Sequence, residues 1–234
     1  ILVNIAGYEL EVVAAGNVVM NMKVVVGQTK RQTPVFSSTM THIILNPVWH
    51  VPRHLAIADV LPKLKHDPAY ITKMGMRLYS VDAAHLTEVN PANISWGDLG
   101  QSHFPYRLHQ NPGSKNALGR IKFLLPNPYD IYLHDTPHRE LFSKSNRSAS
   151  SGCIRLEKPR ELATYLLQDR PEWSREKIDA VINRGRTETV PLKTPLPVHL
   201  MYRTAWSDSN GRVYFRQDIY ERDKVLAKVL FGDS

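Results

Sequence analysis

Alternation of apolar and polar residues through residues 1–45 constrains this chain more than any other feature. Ile1, Val3 and Ile5, then Leu10, Val12, Val18 and Met20, fall at strand spacing. A period of two places such residues on one face of an extended segment, so a sheet with a buried side is required. Gly7, Gly16-Asn17 and Gly27 stand where those strands need to turn. Thr33-Pro34-Val35-Phe36 then resumes extended structure, with Pro34 at an edge or bend.

The pattern changes at Asn46-Pro47-Val48-Trp49-His50-Val51-Pro52, a stiff segment bearing an aromatic ring. Short helical pieces are predicted around Arg53–Leu64 and Pro68–Met74. The stretch Ser80–Gln110 reads as polar and histidine-rich, with turns at Asn90-Pro91 and Trp96-Gly97-Asp98. Residues 50–111 are read as a capping or lid insertion within a single domain spanning 1–234, because long connections in compact folds are usually functional or mobile. Over 112–157 strand patterning returns in Ile121–Leu125 and Tyr129–His134, and a polar loop, Ser143–Ser151, follows. Helices are predicted over 159–169 and 174–184, with Pro159 at a first helical position and Ser174 as N-cap. Residues 195–204 and 211–217 read as a final strand pair turning at Ser209-Asn210-Gly211, and the tail Glu221–Ser234 as helical. The expected fold class is mainly β, a sandwich or barrel-like sheet, with a partly helical capping insertion and C-terminal helices.

Of the 234 residues, 42% are hydrophobic and 22% charged, which suits a chain with a real core. No stretch approaches the roughly 18 apolar residues of a membrane span. The start shows no basic region followed by an apolar one and a cleavage site, so any signal or anchor is expected outside these residues. The net charge of +8 favours an acidic partner. Its basic residues are scattered, and nucleic-acid-binding signatures are absent, so no nucleic-acid partner is expected.

One cysteine excludes a disulfide within the chain. Its neighbours mark it as a nucleophile. Tyr132-Leu133-His134-Asp135-Thr136-Pro137 is followed by Ser150-Ser151-Gly152-Cys153-Ile154-Arg155. A thiol ordinarily ionises near pH 8.5, and an adjacent imidazolium lowers that value. His134, ending an apolar strand, can hold its ring rigidly. Asp135 can orient the ring through its carboxylate or through its backbone carbonyl. Gly152 lets substrate approach and leaves backbone N–H groups for an oxyanion. Arg155, two residues beyond Cys153, shares its face if the segment is extended, and can grip a substrate carboxylate.

These segments resemble the L,D-transpeptidase (YkuD-type) catalytic domain, with its histidine, a gap of under twenty residues, then Ser/Thr-x-Gly-Cys-x-Asn/Arg. Val24-Val25-Val26-Gly27 and Thr33-Pro34-Val35-Phe36 look like the family's opening strands, Asn46-Pro47-Val48-Trp49 like its NP-x-W segment, and Pro112–Gly119 like its PG-x-x-N-x-LG turn. The insertion after Trp49 looks like the capping subdomain of the large enterobacterial members. Ser151 stands where many members carry a second histidine, so His134 alone must serve as base. The resemblance implies a cysteine in a groove under the lid. It implies tetrapeptide stems of peptidoglycan as donor and acceptor, a thioester on Cys153, a 3→3 cross-link and acylation by carbapenems. It also implies a periplasmic setting, cell-wall synthesis proteins as candidate partners, and neither cofactor nor metal. Tyr132, Ser151 and Trp49 join Arg155 as expected groove residues.

Three rivals share these residues. Water or a lipoprotein lysine as acceptor would give a carboxypeptidase or an anchoring enzyme. His134 and His138 have an H-x-x-x-H spacing that two zinc ligands on a helix would need, but Pro137 lies between them. A wall-binding module would use the basic surface without the thiol.

Overall fold

Strand Glu9–Ala14 turns through Ala15 and Gly16 into strand Asn17–Gly27, with Ala14 opposite Asn17. Both turn residues have positive φ, 50° and 79°, the geometry whose twist suits a two-residue hairpin. This hairpin opens a computed structural model that describes residues 1–82, 85–208 and 210–232.

Nine strands form the main sheet among the described residues, and the sheet closes on itself. Starting from Asn17–Gly27, the order runs through Ile154–Leu156, Leu133–His134, Ile121–Leu124, Phe36–Leu45, Glu188–Met201 and Leu2–Asn4 to Glu9–Ala14, which pairs back with Asn17–Gly27. Ser148–Ser150 adds a short parallel strand beside Gly27. Closure removes free edges, as a barrel must. Inside lie Val3, Leu10, Val24, Met40, Ile43, Phe123, Leu133 and Ile154. Helices Pro159–Leu166 and Arg175–Arg184 add Leu162, Ala163, Ile178, Val181 and Ile182 to the same core. The Ser174 hydroxyl caps the second of these by accepting the Lys177 N–H at 3.3 Å.

The expected strand pair near the C-terminus is rearranged. Glu188–Met201 is one long strand held antiparallel to Phe36–Leu45 and parallel to Leu2–Asn4. The late hairpin is instead Ala205–Ser207 with Val213–Phe215. Proline at 191, 195 and 197 obscured the long strand, but its ladder shifts register between Pro191 and Leu196, where Pro195 is accommodated. Ser209 of the expected turn and residues 233 and 234 of the expected tail helix lie outside the described residues; the helix itself runs Arg222–Phe231.

The insertion carries its own core and sheet. Strands Trp49–His50, Tyr106–Gln110, Met76–Asp82 and His85–Val89 form a four-stranded sheet in that order. Val51, Val60, Leu64, Ile71, Leu78, Trp96, Phe104 and Leu108 bury together beneath it. Much of Ser80–Gln110, read as polar loop, is therefore strand. The signal is weak because His85–Val89 is exposed almost throughout and carries no buried apolar alternation.

Two asparagines fix where the insertion leaves the barrel. Buried Asn46, at φ 49°, donates from Nδ2 to the carbonyls of Val181 (2.9 Å) and Arg186 (3.2 Å). Buried Asn116 donates from Nδ2 to Pro47 O (3.0 Å) and Asn111 O (3.0 Å) and accepts the Leu118 N–H at 2.8 Å. The two motif turns are thus one joint, and Trp49 is aimed from it.

Candidate active site

Cross-strand register puts the chemistry on one face of the barrel wall. Ile43, Phe123, Leu133 and Ile154 lie opposite one another across four strands, and all are buried in the barrel. The neighbouring row is Ile44, Lys122, His134, Arg155 and Val25. Successive side chains alternate faces, so this row points outward, toward the lid. Tyr132 and Cys153 lie two residues before His134 and Arg155 and share that face. Tyr132, His134, Cys153 and Arg155 accordingly line one cleft of about 750 Å³.

Cys153 sits on a tight loop. Ser150 Oγ accepts the Gly152 N–H at 3.1 Å and donates to the Cys153 carbonyl at 2.6 Å. Gly152 has φ 118°, a region that side chains other than hydrogen rarely enter. The Gly152 N–H was expected to be free for an oxyanion. It is not, because Ser150 holds it. Ser151 lines the cleft and its Oγ accepts from Arg31 Nη1 at 3.1 Å. Arg31 also grips lid residue Asp59 through both guanidinium nitrogens, at 2.6 and 3.0 Å.

His134 is buried, and its Nδ1 lies 2.5 Å from the backbone carbonyl of Asp135. A carbonyl only accepts, so Nδ1 carries the hydrogen and Nε2 keeps the lone pair. Of the two ways in which Asp135 can orient the ring, the structure uses the carbonyl. The Asp135 carboxylate turns aside, accepts the Arg120 N–H at 2.8 Å, and lies 3.6 Å from Arg139. Burial, aided by the charge of Arg155, drives the His134 imidazole down to about 3. The ring is neutral at rest.

Burial pushes the Cys153 thiol up, against the opposing pull of Tyr132, Lys122 and Arg155. Its Sγ donates weakly to the Asp130 carbonyl at 3.7 Å. The backbone and hydroxyl of Tyr132 both favour the thiolate, and the Trp49 side chain in turn favours the ionised form of that hydroxyl. The thiolate–imidazolium pair expected from the sequence is therefore not the resting state. Buried His134 and partly buried Cys153, with no direct hydrogen bond between them among the described residues, each favour the neutral form. What the site holds is a neutral thiol and a neutral base on one wall, with donors waiting for the anion.

Arg155 is mostly enclosed, and its Nε has no hydrogen-bond partner among the described residues. An unpaired buried guanidinium nitrogen is costly unless a ligand completes it. Trp49 stands between this cleft and a second one of about 720 Å³, which His50, Arg107, His109 and Lys122 line. Lys122, Asp130 and Arg31 escaped the sequence reading. Lys122 was findable, since alternation in Ile121-Lys122-Phe123 sets a cation opposite two core residues; its Nζ lies 3.8 Å from the Tyr132 ring centroid. Asp130 acts through its carbonyl and Arg31 through the lid, for which local sequence carries no signal.

The zinc-type spacing does not form a site. His134 is buried with Nδ1 committed, whereas His138 is exposed and lies 3.3 Å from Glu140. Among the described residues no group of three or more His, Cys, Asp or Glu side chains is placed to hold a metal.

Residues 1–198 match the family described as the L,D-transpeptidase catalytic domain. A Haemophilus influenzae protein, named provisionally an L,D-transpeptidase, is 40% identical over 226 residues, which is 97% of this chain. The chain spans only 45% of that relative's length. A solved L,D-transpeptidase from Mycobacterium smegmatis overlaps 86% of this chain and 57% of its own at 14% identity and a TM-score of 0.37, too low to add weight. With most of its length matched and its cysteine and histidine on one wall of one cleft, the chain belongs to the YkuD L,D-transpeptidase catalytic-domain family.

Proposed function

We propose that Cys153 takes the acyl group of a peptidoglycan tetrapeptide stem as a thioester and passes it to a second stem, forming a 3→3 diaminopimelate cross-link. The observation that carries the reading is the outward face, on which a thiol, a neutral imidazole and an arginine line one cleft. In acylation the Cys153 thiol loses its proton to His134 Nε2 as sulfur attacks the carbonyl of the third stem residue. The Tyr132 hydroxyl and Lys122 stabilise the negative charge on sulfur as the proton leaves, and the Cys153 N–H meets the oxyanion to which that charge passes on attack. Collapse breaks the amide bond, and His134 returns the proton to the departing D-alanine. In the second half an acceptor amine attacks the thioester, gives its proton to His134, and sulfur leaves and is reprotonated.

Arg155 is the anchor for a donor carboxylate, since its guanidinium lines the cleft beside Cys153. The cleft beyond Trp49, which shares Asp130 and Tyr132 with the Cys153 cleft, is the acceptor's proposed side. Water arriving there would give an L,D-carboxypeptidase, and a lipoprotein lysine an anchoring enzyme. Stem peptides lie outside the inner membrane, so the reading carries a periplasmic location with it. Carbapenems, which resemble the donor amide, should acylate the same sulfur.

Mass spectrometry after incubation with a carbapenem tests the nucleophile, and product analysis on purified tetrapeptide muropeptides tests the acceptor. The expected results are one adduct mapped to Cys153 and cross-linked dimers with released D-alanine. Absence of any adduct at large inhibitor excess would overturn the thioester, and tripeptides alone would reassign the acceptor to water.

A further inference from the structure

Tyr220 is buried in the C-terminal part of the chain, beyond residues 1–198. Its hydroxyl accepts the Thr33 N–H at 3.1 Å and donates to the Gly27 carbonyl at 2.5 Å. Thr33 continues the chain. Its Oγ1 accepts the Gly27 N–H at 2.9 Å and donates to the Gly152 carbonyl at 2.7 Å. Both hydroxyls use a donor and an acceptor on backbone, so the direction of every bond is settled. The loop they clamp has no slack: a Cβ on Gly27 would sit 2.2 Å from the Arg31 carbonyl oxygen.

Tyr220 is itself held. Its ring stacks on Tyr202 with centroids 5.5 Å apart, and its N–H donates to the Tyr202 hydroxyl at 2.8 Å. That hydroxyl donates to Asp218 Oδ1 at 2.5 Å. The Arg222 guanidinium lies over both rings, 4.8 and 5.4 Å from their centroids, and donates to Gln32 Oε1 at 3.1 Å. Gln32 lines the Cys153 cleft.

We infer that Tyr220 is a positioning residue for Cys153: its hydroxyl sets Thr33, Thr33 sets the Gly152 peptide, and that peptide aims the Cys153 N–H and sulfur. The inference rests on the thioester reading for its catalytic consequence. Packing alone would be met by phenylalanine; a buried hydroxyl bridging two backbone groups of the loop beneath the nucleophile does more.

The test compares Tyr220→Phe, Thr33→Val and Thr33→Ser with Ile178→Val, a core variant with no polar route to Gly152. The readouts are the pH dependence of Cys153 alkylation by iodoacetamide, and kcat and KM for D-alanine release from tetrapeptide stems. Tyr220→Phe and Thr33→Val are expected to move the alkylation profile and lower kcat about tenfold or more with KM little changed, since small misplacement of a reacting atom is that costly. Thr33→Ser, which keeps the hydroxyl, and Ile178→Val should match the unmodified chain, and Tyr220→Phe combined with Thr33→Val should be no worse than the worse of the two alone. Should Tyr220→Phe not fold, Thr33→Val against Thr33→Ser decides on the same readouts. Unchanged alkylation and kcat in both hydroxyl-loss variants, or equal losses in Ile178→Val, would overturn the inference. If the unmodified chain releases no D-alanine, the proposed reaction fails, and the alkylation profiles still decide the role of Tyr220.

Discussion

The imidazole of His134 is oriented by the backbone carbonyl of Asp135, 2.5 Å from Nδ1, and not by a carboxylate. A carbonyl cannot be removed by side-chain substitution, so the orienting group survives any residue at position 135. Asp135→Ala should therefore keep catalysis within about tenfold, while leaving the Arg120 N–H unpaired at a stability cost of about 1–3 kcal/mol. Denaturant midpoints and stem turnover measured together check this. Loss of activity as complete as in His134→Ala would show that the carboxylate takes part.

Burial holds the folded His134 at about 3, against an ordinary histidine value of 6.5. Between those values the unfolded chain binds a proton that the folded chain refuses, so stability rises with pH across that window and is lost as pH falls through it. His134→Gln, uncharged and able to donate to the same carbonyl, should flatten this part of the stability profile. An equally steep acid loss in that variant would assign it to other groups.

The Cys153 thiol lies above its ordinary range because it is buried, with Lys122 and Tyr132 opposing the rise. Its alkylation by iodoacetamide should be slow near neutrality and accelerate only at alkaline pH. Lys122→Met should move that rise further up, having removed a nearby positive charge. A plateau of fast alkylation below pH 7 would restore the thiolate–imidazolium pair as the resting state.

Arg31 joins the lid, at Asp59, to the nucleophile loop, at Ser151. The ion pair is partly exposed, so Asp59→Asn should change global stability by no more than about 1 kcal/mol. Its expected effect is local, namely faster amide exchange over Ala56–Val60 and at Ser151. Exchange unchanged at both places would mean that this contact does not tie lid to loop.

An arginine with an orphaned Nε needs its planar fork to complete a carboxylate, so Arg155→Lys should not be conservative. A rise in KM for tetrapeptide stems of about tenfold, the scale of one charge-assisted bond, is expected. Unchanged KM with a lowered kcat would move Arg155 from substrate binding to the chemistry.

Local pattern alone determined much of this protein. Alternation in Ile1–Met20 and Ile121-Lys122-Phe123 encodes strands with one buried side, because a period of two sorts side chains by face. The Ser-rich loop and Gly152-Cys153 mark the candidate nucleophile, since glycine allows the tight turn that precedes the thiol. Three matters were decided only in three dimensions. Closure of the sheet depends on Leu2–Asn4 meeting Glu188–Met201 from the far end of the chain, a pairing without local signature. The protonation of His134 and Cys153 depends on how deeply the lid and barrel wall bury them, and burial is a property of the assembled chain. The tie from Tyr220 to Gly152 joins residues 68 positions apart through Thr33, and no spacing in the sequence announces a hydrogen bond made by folding back across the core.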